Sequence, residues 1–213
     1  MANAKKWSNV AVAMQSVLAS AITVTAITKA AEGVVTATNT LANGDYVVLS
    51  VQGMRQVDDR VFRVKAVSGT GFTLDGEDTT AFDTFVSGTA QKVTFGTSIT
   101  TATSLSASGG EFDFIDTTTI HQSARSQIPG LPSAATFSFD NIWDVSDAGL
   151  KAMKVASDAQ AKRSFMFTFG TGGQVMVFNG YVGASLLPGG SAQQLVTTKT
   201  TITMNGTPSY FSS

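Results

Sequence analysis

Phe165-Met166-Phe167-Thr168-Phe169-Gly170-Thr171-Gly172-Gly173-Gln174-Val175-Met176-Val177-Phe178 is the stretch that decides the fold. Phe165, Phe167 and Phe169 recur at every second position, the period at which side chains of an extended chain alternate between faces. Val175 and Val177 resume the alternation beyond a break of three glycines and a threonine. Glycine supplies the positive φ that tight turns need, so the segment reads as strand, turn, strand. The break lacks the Lys-Ser/Thr pair of a phosphate-binding loop. No Arg or Lys is interleaved with the phenylalanines, as a base-stacking platform requires, so they read as a core face.

Working outward, the preceding segment changes period. Leu150, Met153 and Ala156 fall at i, i+3 and i+6 and predict the buried face of one amphipathic helix, with Ala159 and Ala161 allowing close approach to a sheet. Asp144 is the expected N-cap, with Asp147 three residues on, where free N–H groups and the helix dipole favour negative charge. Lys162 and Arg163 are expected at the opposite end. Downstream, Leu195 to Met204 reads as a Thr-rich strand. Upstream, Phe112, Phe114 and Ile120 read as a half-buried strand, and Ile128-Pro129-Gly130 as a bend. Lys92 to Thr100 reads as a strand, followed at Thr101–Gly110 by a Ser/Thr/Ala/Gly tract expected to form a long loop that needs something else to order it.

Between about Ile22 and Ala90 short strands follow one another at turn signals: AITVTAIT, GVVTA, DYVVLSV, RVFRVKAV and FTLDG. This segment holds five basic and eight acidic residues, so it carries −3 and the remainder +2 of a total of −1. It reads as a small all-β module, residues 22–90, inserted into a body formed by 1–21 and 91–213. At the N-terminus, Lys5 and Lys6 before the apolar stretch Val10–Ala21, with Ala19-Ser20-Ala21 at its end, imitate an export signal. Gln15 and Ser16 interrupt that stretch, and Val10, Val12 and Met14 at period two favour an N-terminal strand instead.

Composition narrows the function classes. Charged residues are 14% of the chain against about 25% on average, so a surface this poor in charge is covered by small polar residues or by other subunits. The formal charge of −1 leaves no basic footprint for sequence-specific nucleic-acid reading. There is no cysteine, hence no disulfide, thiolate metal site or Cys nucleophile. No run reaches the roughly 18 apolar residues of a membrane-spanning helix. His121 is the only histidine, and no Gly-Xaa-Ser-Xaa-Gly elbow accompanies it; a hydrolase using His121 with Asp116 lacks a nucleophile context. Asp58-Asp59 and Asp75-Gly76-Glu77-Asp78 lack the oxygen spacing of a calcium loop and read as turn residues. No cofactor, metal site or enzymatic activity is expected.

The order of features from Glu111 to Phe211 resembles the major tail tube protein of long-tailed, siphovirus-type bacteriophages. The Ile128-Pro129-Gly130-Leu131 turn, Trp143-Asp144 before the helix, the strand Phe178-Asn179-Gly180-Tyr181-Val182 and the Thr-rich strand before Gly206 carry it. Gly44-Asp45-Tyr46-Val47-Val48 and Phe72-Thr73-Leu74-Asp75-Gly76 look like the small barrel-like inserts of some phage tail proteins. The resemblance implies a mainly β fold, a tail-tube β-sandwich or barrel with one packed helix, and an outward-facing module. It also implies hexameric rings that stack into a tube around a tape-measure protein, tail-terminator and distal tail proteins as partners, and DNA as passing cargo. Such a protein is made in the host cytoplasm and resides in the virion. The tract at Thr101, Thr103, Ser104, Leu105, Ser106, Ser108, Gly109 and Gly110 would then contact the adjacent ring. A β-rich surface-binding or adhesion module is the alternative that the same composition permits.

Overall fold

The structure, a computed structural model, describes residues 10–170 and 173–212. In chain order its strands are β1 (Val10–Met14), β2 (Val17–Leu18), β3 (Ile22–Val24), β4 (Ala26–Ile27), β5 (Val34–Thr36), β6 (Tyr46–Gln52), β7 (Val61–Ser68), β8 (Gly71–Leu74) and β9 (Ser87–Thr94). They continue as β10 (Thr97–Ser98), β11 (Ala102–Ser108), β12 (Phe112–Asp116), β13 (Gln127–Pro132) and β14 (Thr136–Ile142). Helix α1 (Ala148–Asp158) then precedes β15 (Lys162–Phe169), β16 (Val175–Ala184) and β17 (Thr197–Phe211). Among the described residues the architecture is mainly β with one α-helix, as the alternating pattern of Phe165–Phe178 requires.

One sheet runs β10-β1-β15-β16-β17-β14-β11. The hairpin read from the sequence is its centre, with Phe165 opposite Phe178 and Phe167 opposite Met176; Thr171 and Gly172 of its turn, like Lys5 and Lys6, lie outside the described residues. The sheet curls on itself. Phe137 and Phe139 on β14 meet Phe167 on β15 at ring distances of 5.2 and 6.1 Å although two strands separate them in the sheet. The concave face so enclosed holds Val12, Met14, Phe139, Phe165, Phe167, Phe178 and Ile202, and α1 closes it with Leu150, Met153 and Ala156. On the convex face the registers align small polar residues in rows: Ser104 with Asp140 and Lys199, Ser106 with Ser138 and Thr201, Ser108 with Thr136 and Thr203.

A second sheet runs β2-β9-β6-β7-β8-β5-β4, with β3 also on β9. Since β3 on β9 and β4 on β5 are separated only by Thr25, whose N–H donates to Thr36, they link the two sides of the sheet and close it into a barrel. Its interior is a separate core containing Val35, Val47, Leu49, Phe62, Phe72 and Leu74. The sheet takes in β2 before residue 22 and β9 through Thr94, and Phe95-Gly96 breaks the strand expected over 92–100 before β10 returns to the first sheet. Ala19–Ala21 connects two of its strands.

Candidate assembly interface

After β11 the chain leaves the sheet. Gly109 and Gly110 both have φ of +84°, and a Cβ on Gly109 would lie 2.4 Å from the Ala134 carbonyl oxygen, so the double bend requires glycine. Beyond it β12 and β13 form a two-stranded hairpin apart from both sheets, with Ile115 opposite Ile128 and Asp116 opposite Gln127. All five residues of β12 are exposed. Phe114, Ile120 and Leu131 expose 64%, 96% and 86% of their surface. The half-buried strand expected at Phe112, Phe114 and Ile120 is therefore corrected: these side chains have no layer to pack on, and Ile120 lies in the connecting turn. Pro129-Gly130 is no bend either; it sits within β13, where a strand with an open edge tolerates a residue lacking N–H. A two-stranded hairpin displaying apolar side chains is marginal in water unless it packs on something.

Residues 102–108 of the tract expected to be a loop form the edge strand β11. Leu105, half-buried, packs on the core, while Ser104, Ser106 and Ser108 point outward, so the tract is ordered by pairing with β14. Thr101, Thr103, Gly109 and Gly110 lie at or near its ends, Thr103 Oγ1 donating to the Asp140 carbonyl. β11 is the sheet's long edge, the opposite edge β10 having two residues, and across a cleft of about 90 Å³ it faces Val10 and Val12 of β1 without pairing. Unpaired edges recruit further strands; the closed barrel has none to offer.

The barrel is seated on the convex face of the first sheet, over β15 and the adjoining ends of β16 and β17. Val61 packs with Val177 and Phe211, flanked by Tyr46, Val48 and Met166. The Arg63 guanidinium lies 4.9 Å from the Phe211 ring centre. At the rim Asp59, itself in the left-handed region at φ 58°, accepts Lys162 Nζ at 2.5 Å and Asn179 Nδ2 at 3.3 Å on Oδ1, and Asn205 Nδ2 on Oδ2. Its carbonyl oxygen accepts Asn179 Nδ2 at 2.8 Å. These contacts join positions more than a hundred residues apart, and no local pattern could have revealed them.

Of the helix residues, Leu150, Met153 and Ala156 are at most 1% exposed. The cap is Asp147, whose Oδ1 accepts Leu150 N–H at 2.7 Å; Asp144 instead binds Ser146 through its N–H and hydroxyl, bonds that hold its carboxyl below the usual range. Lys162 and Arg163 begin β15, because the helix ends at Asp158. His121 sits exposed in the hairpin turn, and Asp116 accepts from Thr118. Asp75 is paired with Arg63 and Lys65, and Glu77 with Arg60; among the described residues no cluster of three metal-ligating side chains occurs.

The described residues thus hold one closed barrel, one sheet with a long open edge, and an exposed apolar hairpin. A comparison with curated proteins gave no match. The family model described as "Phage tail tube protein, TTP" matches residues 52–213, from the end of β6 through the remaining barrel strands and the whole curled sheet beyond β1. The family is structural, a component of the virion tail that assembles into a tube. The chain belongs to the phage tail tube protein family.

Proposed function

We propose that the chain closes into hexameric rings that stack into the tail tube of a siphovirus-type phage and conduct DNA during infection. The observation that carries this reading is the β12–β13 hairpin. Six of its apolar side chains are half to almost fully exposed, and covering them supplies on the order of 10 kcal/mol gross. We assign the hairpin to the neighbouring ring and the β11 edge, with the tract Thr101–Gly110, to contacts between copies. Edge-to-edge closure removes unpaired backbone groups within a ring, and heterologous stacking of rings leaves both ends open for growth. The barrel, having no free edge, is the module that faces outward. The resemblance adds the other partners: a tape-measure protein inside the growing tube, tail-terminator and distal tail proteins at its ends, and assembly in the host cytoplasm.

Hydrogen exchange tests the assignment. Amides of residues 111–132 exchange fast in free subunits and slowly in tubes, and replacing that segment by a short Gly/Ser turn abolishes tubes while leaving subunit unfolding unchanged. Equal protection in both states would overturn the assignment.

A further inference from the structure

We infer that Asn205-Gly206 is a self-modification site held in check by the Asp59 carboxylate, and that conversion of Asn205 to aspartate or isoaspartate releases the barrel from the curled sheet. The chain holds three Asn-Gly pairs, Asn43-Gly44, Asn179-Gly180 and Asn205-Gly206. Glycine after asparagine leaves its own nitrogen unhindered and its backbone free to turn, so ring closure is easiest in this dipeptide. The glycine nitrogen bonds to the asparagine Cγ, the Cγ–Nδ2 bond breaks, and ammonia leaves with the proton that the glycine nitrogen gives up. Water then opens the resulting succinimide at one of its two C–N bonds. One opening gives aspartate; the other gives isoaspartate, whose main chain runs through Cβ.

The structure separates the three pairs. Asn43 is tied on both sides, its Oδ1 accepting Val67 N–H at 2.9 Å while Gly44 N–H donates to the Val64 carbonyl at 2.8 Å. Asn179 is buried in a central strand, and a Cβ on Gly180 would lie 2.8 Å from the Thr203 carbonyl oxygen, so the backbone has no room to turn. Gly206 is exposed at φ +77°, with no atom within 4 Å of a Cβ position. Asn205 stands opposite Asn179 and Ser209 opposite Val177, so three residues of β17 bulge against one of β16, and β14 reaches only as far as Thr203. What restrains the Asn205 side chain is the bond from its Nδ2 to Asp59 Oδ2. The barrel aims that carboxylate, since Asp59 N–H donates to the Leu49 carbonyl at 2.8 Å. Ring closure needs the amide to rotate, and a charge-assisted bond opposes the rotation. Conversion sets a second carboxylate against Asp59 in place of a donor, and like charges repel. Isoaspartate also lengthens β17 just before Ser209, which accepts Arg60 Nη2 at 3.3 Å, and Phe211, which packs with Val61.

Peptide mapping by mass spectrometry tests the site on folded chains kept at mildly alkaline pH below assembly concentration. In Asp59→Ala, Asn205 should convert at least tenfold faster than in the unsubstituted chain, while Asn43 stays within twofold. Asp59→Asn, which offers an uncharged acceptor, should give an intermediate rate at Asn205, and it carries the test if Asp59→Ala does not fold. Equal Asn205 rates in the substituted and unsubstituted chains overturn the inference. Asn43 rising in step with Asn205 makes the effect a general loosening and overturns it equally. The consequence is read on Asn205→Asp: its urea midpoint should fall, with Trp143 fluorescence and exchange of the barrel amides no longer moving together. A variant as stable as the unsubstituted chain, with both signals coincident, overturns the release.

Discussion

Replacing Asp59 by alanine should unfasten the barrel from the curled sheet without damaging either core. The carboxylate accepts Lys162, Asn179 and Asn205, all from the sheet side of the seam. Asp59 and Lys162 expose 24% and 36% of their side chains, so water screens the ion pair and its share is at most about 1 kcal/mol. Asn179 keeps the Asp59 carbonyl as its acceptor, so the cost falls on half-buried Asn205, whose amide loses the carboxylate, at about 1–2 kcal/mol. Alanine at φ 58° adds about 1 kcal/mol, because it lacks the short polar side chain through which aspartate tolerates the left-handed region. The loss for Asp59→Ala is therefore about 2–4 kcal/mol, and for Asp59→Asn, which tolerates that backbone, about 1–2 kcal/mol. Urea unfolding below assembly concentration measures both, with Trp143 reporting on the sheet through its indole bond to the Leu186 carbonyl, and exchange of β6 and β7 amides reporting on the barrel. In the unsubstituted chain the two reporters move together; in Asp59→Ala they separate, since the two cores are distinct. A change under 0.5 kcal/mol with the reporters still coincident would refute the argument and shift the fastening to Val61, Val177 and Phe211, with Arg63 on the Phe211 ring.

Leu150→Ala opens a cavity beneath α1 and should cost about 2–5 kcal/mol, whereas Lys154→Ala on the outer flank should be nearly silent; equal losses in thermal unfolding would mean the wrong helix face is buried. Thr198 Oγ1 is buried without a hydrogen-bond partner among the described residues, so Thr198→Val should raise stability by about 1 kcal/mol, and a destabilised variant would reveal a partner for that hydroxyl. The hydrogen bond from Lys65, then that from Gly76, holds Glu32 below its ordinary value of 4.5; burial raises Asp75, but Arg63 and Lys65 outweigh it and bring it below 3.8. Both carboxylates thus contribute stability that is complete above those ordinary values and is lost as pH falls through the lower folded-state ones, so the barrel's urea midpoint should drop from about pH 5 towards pH 3. A midpoint flat over that range in the unsubstituted chain contradicts the pairing.

What was legible in the sequence is what local periodicity encodes. Phe165–Phe169 and Val175–Phe178 alternate because one face of each strand is buried, and the barrel strands announce themselves by short β-branched runs between turns. The helix stripe was equally plain, yet its cap slipped by three residues: Asp144 and Asp147 satisfy the same residue preference, and only the backbone decides which carboxylate faces the free N–H groups. β11 was hidden because a Ser/Ala/Thr strand owes its order to β14, over thirty residues away. The hairpin reads as a core strand for the opposite reason, since Phe112, Phe114 and Ile128 carry the same alternation when they are exposed as when a layer covers them. The Asp59 seam joins residues with no local relation.

The central claim, that this chain builds a tube from its own copies, is tested most directly by negative-stain imaging of the purified protein over rising concentration. The account predicts stacked rings with an open axial channel and the barrels as outward knobs, their number growing with concentration. A monodisperse monomer at every concentration would contradict it.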